Sequence, residues 1–232
     1  MTININKEFE KFIEIHQEKA FLKLSLFLNE FRIKYEQDKI DTYKKEGFSI
    51  AEAHKKSRNS WVAHVGNQLE NLVILFIEKF CSDNRLKLIK GSILKRNKLS
   101  GEKSLVKRKI MVHFGEYSLL PDADIIIYKK CENDIKIIAI LSVKNSFRER
   151  YTETPYWKLK LMEDEITRSI KVFMVTPDND DEVSYIREKG PRQARIVMEY
   201  ELDSIYLARE NFDSSKKVKG LDQLLNDLAY LI

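Results

Sequence analysis

At 232 residues, with 43% hydrophobic and 33% charged side chains, the chain has the size and composition of one globular domain with a full apolar core. Its two cysteines, Cys81 and Cys131, lie far apart without CxxC spacing, which excludes a disulfide scaffold and a cysteine-held zinc site and suits a reducing cytoplasm. No apolar run reaches membrane-spanning length, and the opening MTININKEFEKF has no apolar signal-peptide centre.

Residues 7–46 predict one or two long helices. Phe9, Phe12, Ile13, Phe21, Leu24, Leu28, Phe31 and Tyr35 recur near the helical period. This reads as a helical arm that packs or dimerises, ended by Gly47. Ser49 is placed to cap a short helix, with Glu52 three residues on. A stronger helix is expected from about residue 60 to 80. Its buried stripe would be Val62, Val65, Leu69, Leu72, Val73, Phe76, Ile77 and Phe80. Gly66 and Glu70 sit one turn apart on the margin of that stripe. Gly66 costs the helix about 1 kcal/mol relative to alanine, which a close backbone approach would explain. The chain thus divides into an N-terminal helical extension, 1–57, and the remainder, 58–232.

Residues 86–93 and 105–114 predict strands around a polar, basic connection. Between Arg85 and Lys109 there are ten Lys or Arg and one acid, Glu102. Such a stretch suits a phosphate-contacting surface as well as a solvated basic loop. His113 stands alone and is given no role. Beyond the central segment, residues 155–170 predict a helix with Trp157, Leu161, Ile166 and Ile170 inward, and 171–176 a strand. The acidic run 177–181 lacks the Gly and Glu spacing of a calcium loop and reads as a solvated turn. Residues 195–200 and 205–208 predict strands, and 221–232 a closing helix.

The segment that organises the rest is 121–151, PDADIIIYKKCENDIKIIAILSVKNSFRERY. Residues 124–128 and 135–143 read as two strands joined by turn residues. In the second, seven of nine residues are apolar, which suits burial on both faces. Closing this hairpin brings Asp122 beside Ser142, Val143 and Lys144, with Asp124 on the same face. Carboxylates beside a partly desolvated lysine can hold a hard divalent cation and orient a water.

These residues resemble the PD-(D/E)xK nuclease core: Pro-Asp, a hairpin, then a residue, any residue and Lys. The tail, Lys144 followed by Arg148-Glu149-Arg150, is similar to the Lys, three residues, Arg-(Asp/Glu)-Arg pattern of type II restriction endonucleases that read CCGG or CC/GG sites. In that branch Ser often replaces the acid of the (D/E)xK element, as Ser142 does here. The resemblance covers residues 55–200. It implies an α/β fold with a central mixed β-sheet flanked by helices. It implies Mg²⁺-dependent hydrolysis of double-stranded DNA, leaving 5′-phosphates at a palindrome with a CCGG-like core, by a homodimer of a restriction–modification system.

The site implied is equally specific. Asp122, or alternatively Asp124, would hold Mg²⁺ with the backbone carbonyl of Val143. Lys144 would orient or deprotonate the water, and Ser142 would add a hydrogen bond or hold a metal-bound water. With Ser at 142 a second acid must come from elsewhere. Related enzymes place it about a dozen residues after the lysine, where this chain has Trp157 and Lys158. Glu70 is the preferred substitute, Glu153 the next, and Glu163 lies farther off. Arg148, Glu149 and Arg150 would read bases, since arginine pairs with guanine and a carboxylate accepts from cytosine. A structure-specific or repair nuclease of the same core and a non-catalytic DNA-binding module are the competing readings.

Overall fold

The computed structural model describes residues 3–132, 134–147 and 150–232. Helix α1 (Ile5–His16) is capped by the Asn4 side chain, and α2 (Leu24–Lys45) ends ahead of Gly47 at φ +91°. Helix α3 (Ile50–Asp83) starts on the expected Ser49–Glu52 capping box but runs unbroken for 34 residues. No pause occurs near residue 58, because both flanks of that point are packed. Ser57 is buried and donates its hydroxyl to the Glu36 carbonyl of α2 at 2.9 Å, and Trp61 packs on Phe31 and Tyr35. The division between 1–57 and 58–232 therefore falls inside one helix. Phe9, Phe27 and Phe31 share a single apolar cluster with Leu69, Ile77 and the sheet.

Strand β1 (Leu86–Lys90) follows, then a single turn α4 (Gly91–Leu94), helix α5 (Gly101–Ile110) and a small hairpin of β2 (Val112–Phe114) and β3 (Tyr117–Leu119). The strand expected over 105–114 is thus mostly helix. Val106 and Ile110 are both fully buried at helical spacing, and a short apolar run fits either period until its packing decides. Strands β4 (Ile125–Lys130) and β5 (Ile135–Val143) form the expected antiparallel hairpin, buried on both faces. Helix α6 (Glu153–Met162) stops short of residue 170, and Ile166 is 65% exposed rather than inward. Strand β6 (Lys171–Thr176) matches expectation. After the hairpin of β7 (Ile186–Arg187) and β8 (Gly190–Pro191), residues 193–201 form helix α7 (Gln193–Glu201) where a strand was expected. Ala194 and Met198, four apart, are its buried pair. Strands β9 (Ser204–Leu207) and β10 (Val218–Gly220) and helix α8 (Gln223–Ala229) close the chain.

The strands assemble into a six-stranded mixed sheet in the order β1-β4-β5-β6-β9-β10. Pairing is antiparallel from β1 to β5 and parallel from β5 to β10. Residues of α1, α2, α3 and α8 cover one face. Those of α5, α6 and α7 cover the other. The expectation of a mixed sheet between helices holds.

Candidate active site

Two changes of direction meet at one end of β5. Antiparallel pairing lays the residues before β4 beside the end of β5. Parallel pairing lays the end of β6 beside the same point. The acidic segment before β4 is pinned from both sides: the Asp124 N–H donates to the Leu141 carbonyl at 3.1 Å, and the Asp124 carbonyl accepts from Gly91 N–H at 3.0 Å. Gly91 is obligatory there, since a Cβ would overlap the Ala123 carbonyl.

On this frame Lys144 Nζ donates to Asp122 Oδ2 at 2.9 Å and to Asp124 Oδ2 at 3.2 Å. Asp124 Oδ2 also accepts the Val143 N–H at 2.7 Å, and the Lys144 N–H donates to the Val175 carbonyl at 3.1 Å. The carboxylates expected beside Lys144 therefore both touch it. Burial disfavours the charge on Lys144, but Asp124 and Asp122 outweigh it and hold the ammonium's pKa above the usual lysine range. Burial likewise opposes ionisation of Asp122, and Lys144 with Lys95 overcomes it, so its carboxyl titrates below the usual range.

Glu70 lies on α3. Burial, then the negative charge of Asp124, pushes its pKa up, while Lys90 at 3.6 Å pulls the other way. Glu70, Asp124, Val143, Lys144 and Arg150 line one cleft of about 580 Å³. Among the described residues no three acids, histidines or cysteines converge closely enough to form a ready metal cage. Two acids converge on Lys144, and Glu70 stands within reach of the Asp124 charge.

Other expected members are placed elsewhere. Asp122 is bound to Lys144 but does not line the cleft. Ser142 is fully buried on the opposite face of β5, its hydroxyl paired with Thr154 of α6 at 2.9 Å, because the strand's alternation turns it away. Glu153 and Glu163 do not line the cleft, and Glu163 pairs with Lys160 at 2.7 Å. Lys158 is buried, held by Asp203 at 2.7 Å and the Ile170 carbonyl at 3.1 Å. Arg148 and Glu149 lie outside the described residues; Arg150 faces the cleft. Val62, expected in the buried stripe, is 60% exposed. Gly66 has nothing within 4 Å of where a Cβ would stand, so the close approach expected there is missing among the described residues.

Sequence reasoning missed Lys90 and Lys95. Both belong to the basic run 85–109, whose charges are partly engaged internally: Lys95 with Asp122, Lys90 with Glu70 and Asn71, Lys87 with Glu102, Lys109 with Asp134. Their signal was the burial of neighbouring acids, which a sequence does not display. Arg32 and Trp61, also in the cleft wall, come from helices whose apolar period marked a packing face and gave no sign of a site.

A family model described as BsaWI restriction endonuclease type 2 matches residues 102–227. MjaVIP of Methanocaldococcus jannaschii, assigned as a type II restriction enzyme, is 45% identical over 206 residues, 88% of this chain and 91% of its own. The chain belongs to this family of type II restriction endonucleases. HpyAORF263P of Helicobacter pylori, assigned likewise, is 45% identical over 181 residues, 78% of this endonuclease and 92% of its own length. The crystal structure of the specific restriction endonuclease AgeI bound to DNA aligns over 100% of the endonuclease and 94% of AgeI. Its TM-score is 0.50 and its identity 11%, a likeness of fold. The expected activity class and fold therefore stand. The matched span contains the hairpin, Lys144 and Arg150, while Glu70 and Gly66 lie before it.

Proposed function

We propose that this endonuclease cuts both strands of double-stranded DNA at a palindrome with a CCGG-like core, as a Mg²⁺-dependent cytoplasmic homodimer that leaves 5′-phosphates. The observation that supports this most is the joint contact of Asp122 and Asp124 with Lys144, at 2.9 and 3.2 Å, beside a cleft lined by Glu70 and Arg150.

The donor set suits Mg²⁺, which takes one or two carboxylates and leaves its other positions to water and phosphate oxygens. Asp122 or Asp124, with Glu70 and the Val143 carbonyl, would hold it. Bound there, the ion would acidify a water and offset charge on the phosphoryl oxygens.

The protein's own groups do the rest. Lys144, kept protonated by its two carboxylates, is a donor rather than a base: it orients the attacking water and stabilises the charge gathering on phosphorus oxygens. The water oxygen bonds to phosphorus as the bond to O3′ breaks; the attacking water passes a proton to solvent, and O3′ takes one from solvent water. Arg150, with Arg148 and Glu149 of the same motif, would read adjacent C·G pairs, each good bidentate contact discriminating by about 1–3 kcal/mol. A palindrome read one half per chain calls for a two-fold pair. Helices α1 and α2 extend the catalytic part, and Arg32 of α2, paired with Glu36 at 2.7 Å, reaches the cleft wall.

Incubation with Mg²⁺ and a plasmid of known sequence, with the ends mapped, tests this reading. The expected result is double-strand breaks at one palindrome containing CCGG, with 5′-phosphate ends. Cleavage that needs no divalent cation, or wild-type rates in both Asp124→Asn and Lys144→Met, would overturn it.

A further inference from the structure

The loop after β6 does not have the solvated character its acidic sequence suggests. Asp178, at φ +49°, is fully buried. Its carboxylate accepts the N–H groups of Glu182, Val183 and Ser184 and the Ser184 hydroxyl, at 2.5–3.0 Å. Arg209 binds the Asp178 carbonyl at 3.0 Å and Asp181 at 2.6 Å. The buried Arg195 binds the Val183 and Ser184 carbonyls at 2.8 and 3.3 Å. Two arginines and one buried carboxylate thus make a rigid platform.

The platform grips the segment between Lys144 and the Arg-Glu-Arg motif at two points. Asp180 Oδ2 accepts the Phe147 N–H at 2.8 Å. Asn179 donates its side-chain amide to Asn145 Oδ1 at 3.0 Å and accepts from Ser25 of α2 at 2.7 Å. Phe147 is itself buried in the core, and its carbonyl accepts the Arg150 N–H at 2.9 Å. A slip of one residue moves an extended chain by about 3.3 Å. Hydrogen bonds tolerate only about 0.5 Å of variation, so base reading is lost well before a flexible phosphate contact is.

We propose that Asp180 is a positioning residue for sequence discrimination: by fixing Phe147 it sets the distance between Lys144 and Arg150. The inference rests on the base-reading role proposed for Arg148, Glu149 and Arg150, and deepens it.

The test uses the full chain with Mg²⁺ on the duplex identified by plasmid mapping and on duplexes with one central base pair changed. Asp180→Ala lowers the ratio of kcat/KM on the cognate to that on the changed duplexes at least tenfold. Asp180→Asn, which retains an oxygen acceptor for the Phe147 N–H, recovers most of it. An unaltered ratio in Asp180→Ala, or an equal loss of rate on every duplex, overturns the proposal. Should that variant not fold, Asp180→Glu displaces the acceptor by one methylene and carries the same test: a lowered ratio supports the role, an unaltered one overturns it. Arg148→Ala and Arg150→Ala run in parallel. Unaltered ratios in both overturn the base-reading assignment, and the inference with it, and so mark that failure apart from one confined to Asp180.

Discussion

Lys144→Met keeps the length and apolar stem of the side chain and deletes its charge. In the native site the ammonium stands 2.9 Å from Asp122 and 3.2 Å from Asp124, and the three side chains are 18%, 25% and 15% exposed. Unit charges about 3 Å apart attract by about 5 kcal/mol at an effective dielectric constant of about 20, much of it offset by taking the charges out of water. Deleting one partner of a fully buried pair costs about 3–5 kcal/mol. Here Asp122 keeps Lys95 at 3.5 Å and Asp124 keeps the Val143 N–H at 2.7 Å. With those partners and partial exposure, a cost of about 2–3 kcal/mol is expected. For a chain of this length that is a fall in Tm of roughly 4–12 °C, measured by thermal unfolding at pH 7 without divalent ions. Mg²⁺ bound as proposed would replace the missing charge on the same carboxylates, so it should raise the Tm of the variant more than that of the wild type. Single-turnover cleavage should fall by about 10²–10³-fold, the loss typical of one transition-state donor. A variant as stable as the wild type, indifferent to Mg²⁺ and equally fast on DNA would refute the reasoning.

Ser142→Ala should leave cleavage within a few-fold of wild type, because the hydroxyl faces Thr154 rather than the cleft. It should cost about 1–3 kcal/mol in urea unfolding by stranding that partner; a large loss of activity at unchanged stability would return Ser142 to the chemistry. Gly66→Ala should stabilise α3 by about 1 kcal/mol, since a Cβ there meets nothing within 4 Å, and a lowered denaturation midpoint would contradict the open geometry. Burial opposes the charge on Asp203, but Lys158, the Val172 N–H and Lys171 lower its pKa below the usual range. A depressed carboxyl stabilises fully above the unfolded value, near pH 4, and loses that contribution as pH falls through the folded one. Asp203→Asn should therefore flatten the acid limb of the stability curve, and an unchanged limb would assign acid sensitivity elsewhere.

How much of this was legible depended on the range of the interactions. The β4–β5 hairpin announced itself through a continuous apolar run bounded by turn residues, and with it came Asp122, Asp124 and Lys144. Those contacts are local and follow from antiparallel closure. Residues 105–110 and 195–200 were misread because an apolar pair in a six-residue window satisfies both periods, and only the burial of Val106 with Ile110, or Ala194 with Met198, selects the helix. Ser142 was misplaced for a different reason. Its position two residues before Lys144 implies nearness to the cleft, yet alternation along β5 sets it opposite Val143, which lines that cleft, and turns the hydroxyl to Thr154. The buried Asp178 network was invisible, since an Asp-rich turn looks alike whether its carboxylates meet water or backbone N–H groups.

The mixed character of the sheet explains why the site forms where it does. An antiparallel hairpin alone would set the two aspartates beside Lys144 and leave the next residues to wander into solvent. A parallel partner alone would align the ends of β5 and β6 but place no acid on Lys144, whose two carboxylate partners both precede β4. β5 has one neighbour of each kind. Its end therefore receives charge from the residues before β4 and mechanical support from the loop after β6. Under the proposed roles, chemistry falls on the β4 side of that terminus and support for reading on the β6 side. Substitutions before β4 should change the rate on every sequence alike, whereas those in the loop after β6 should change which sequence is cut.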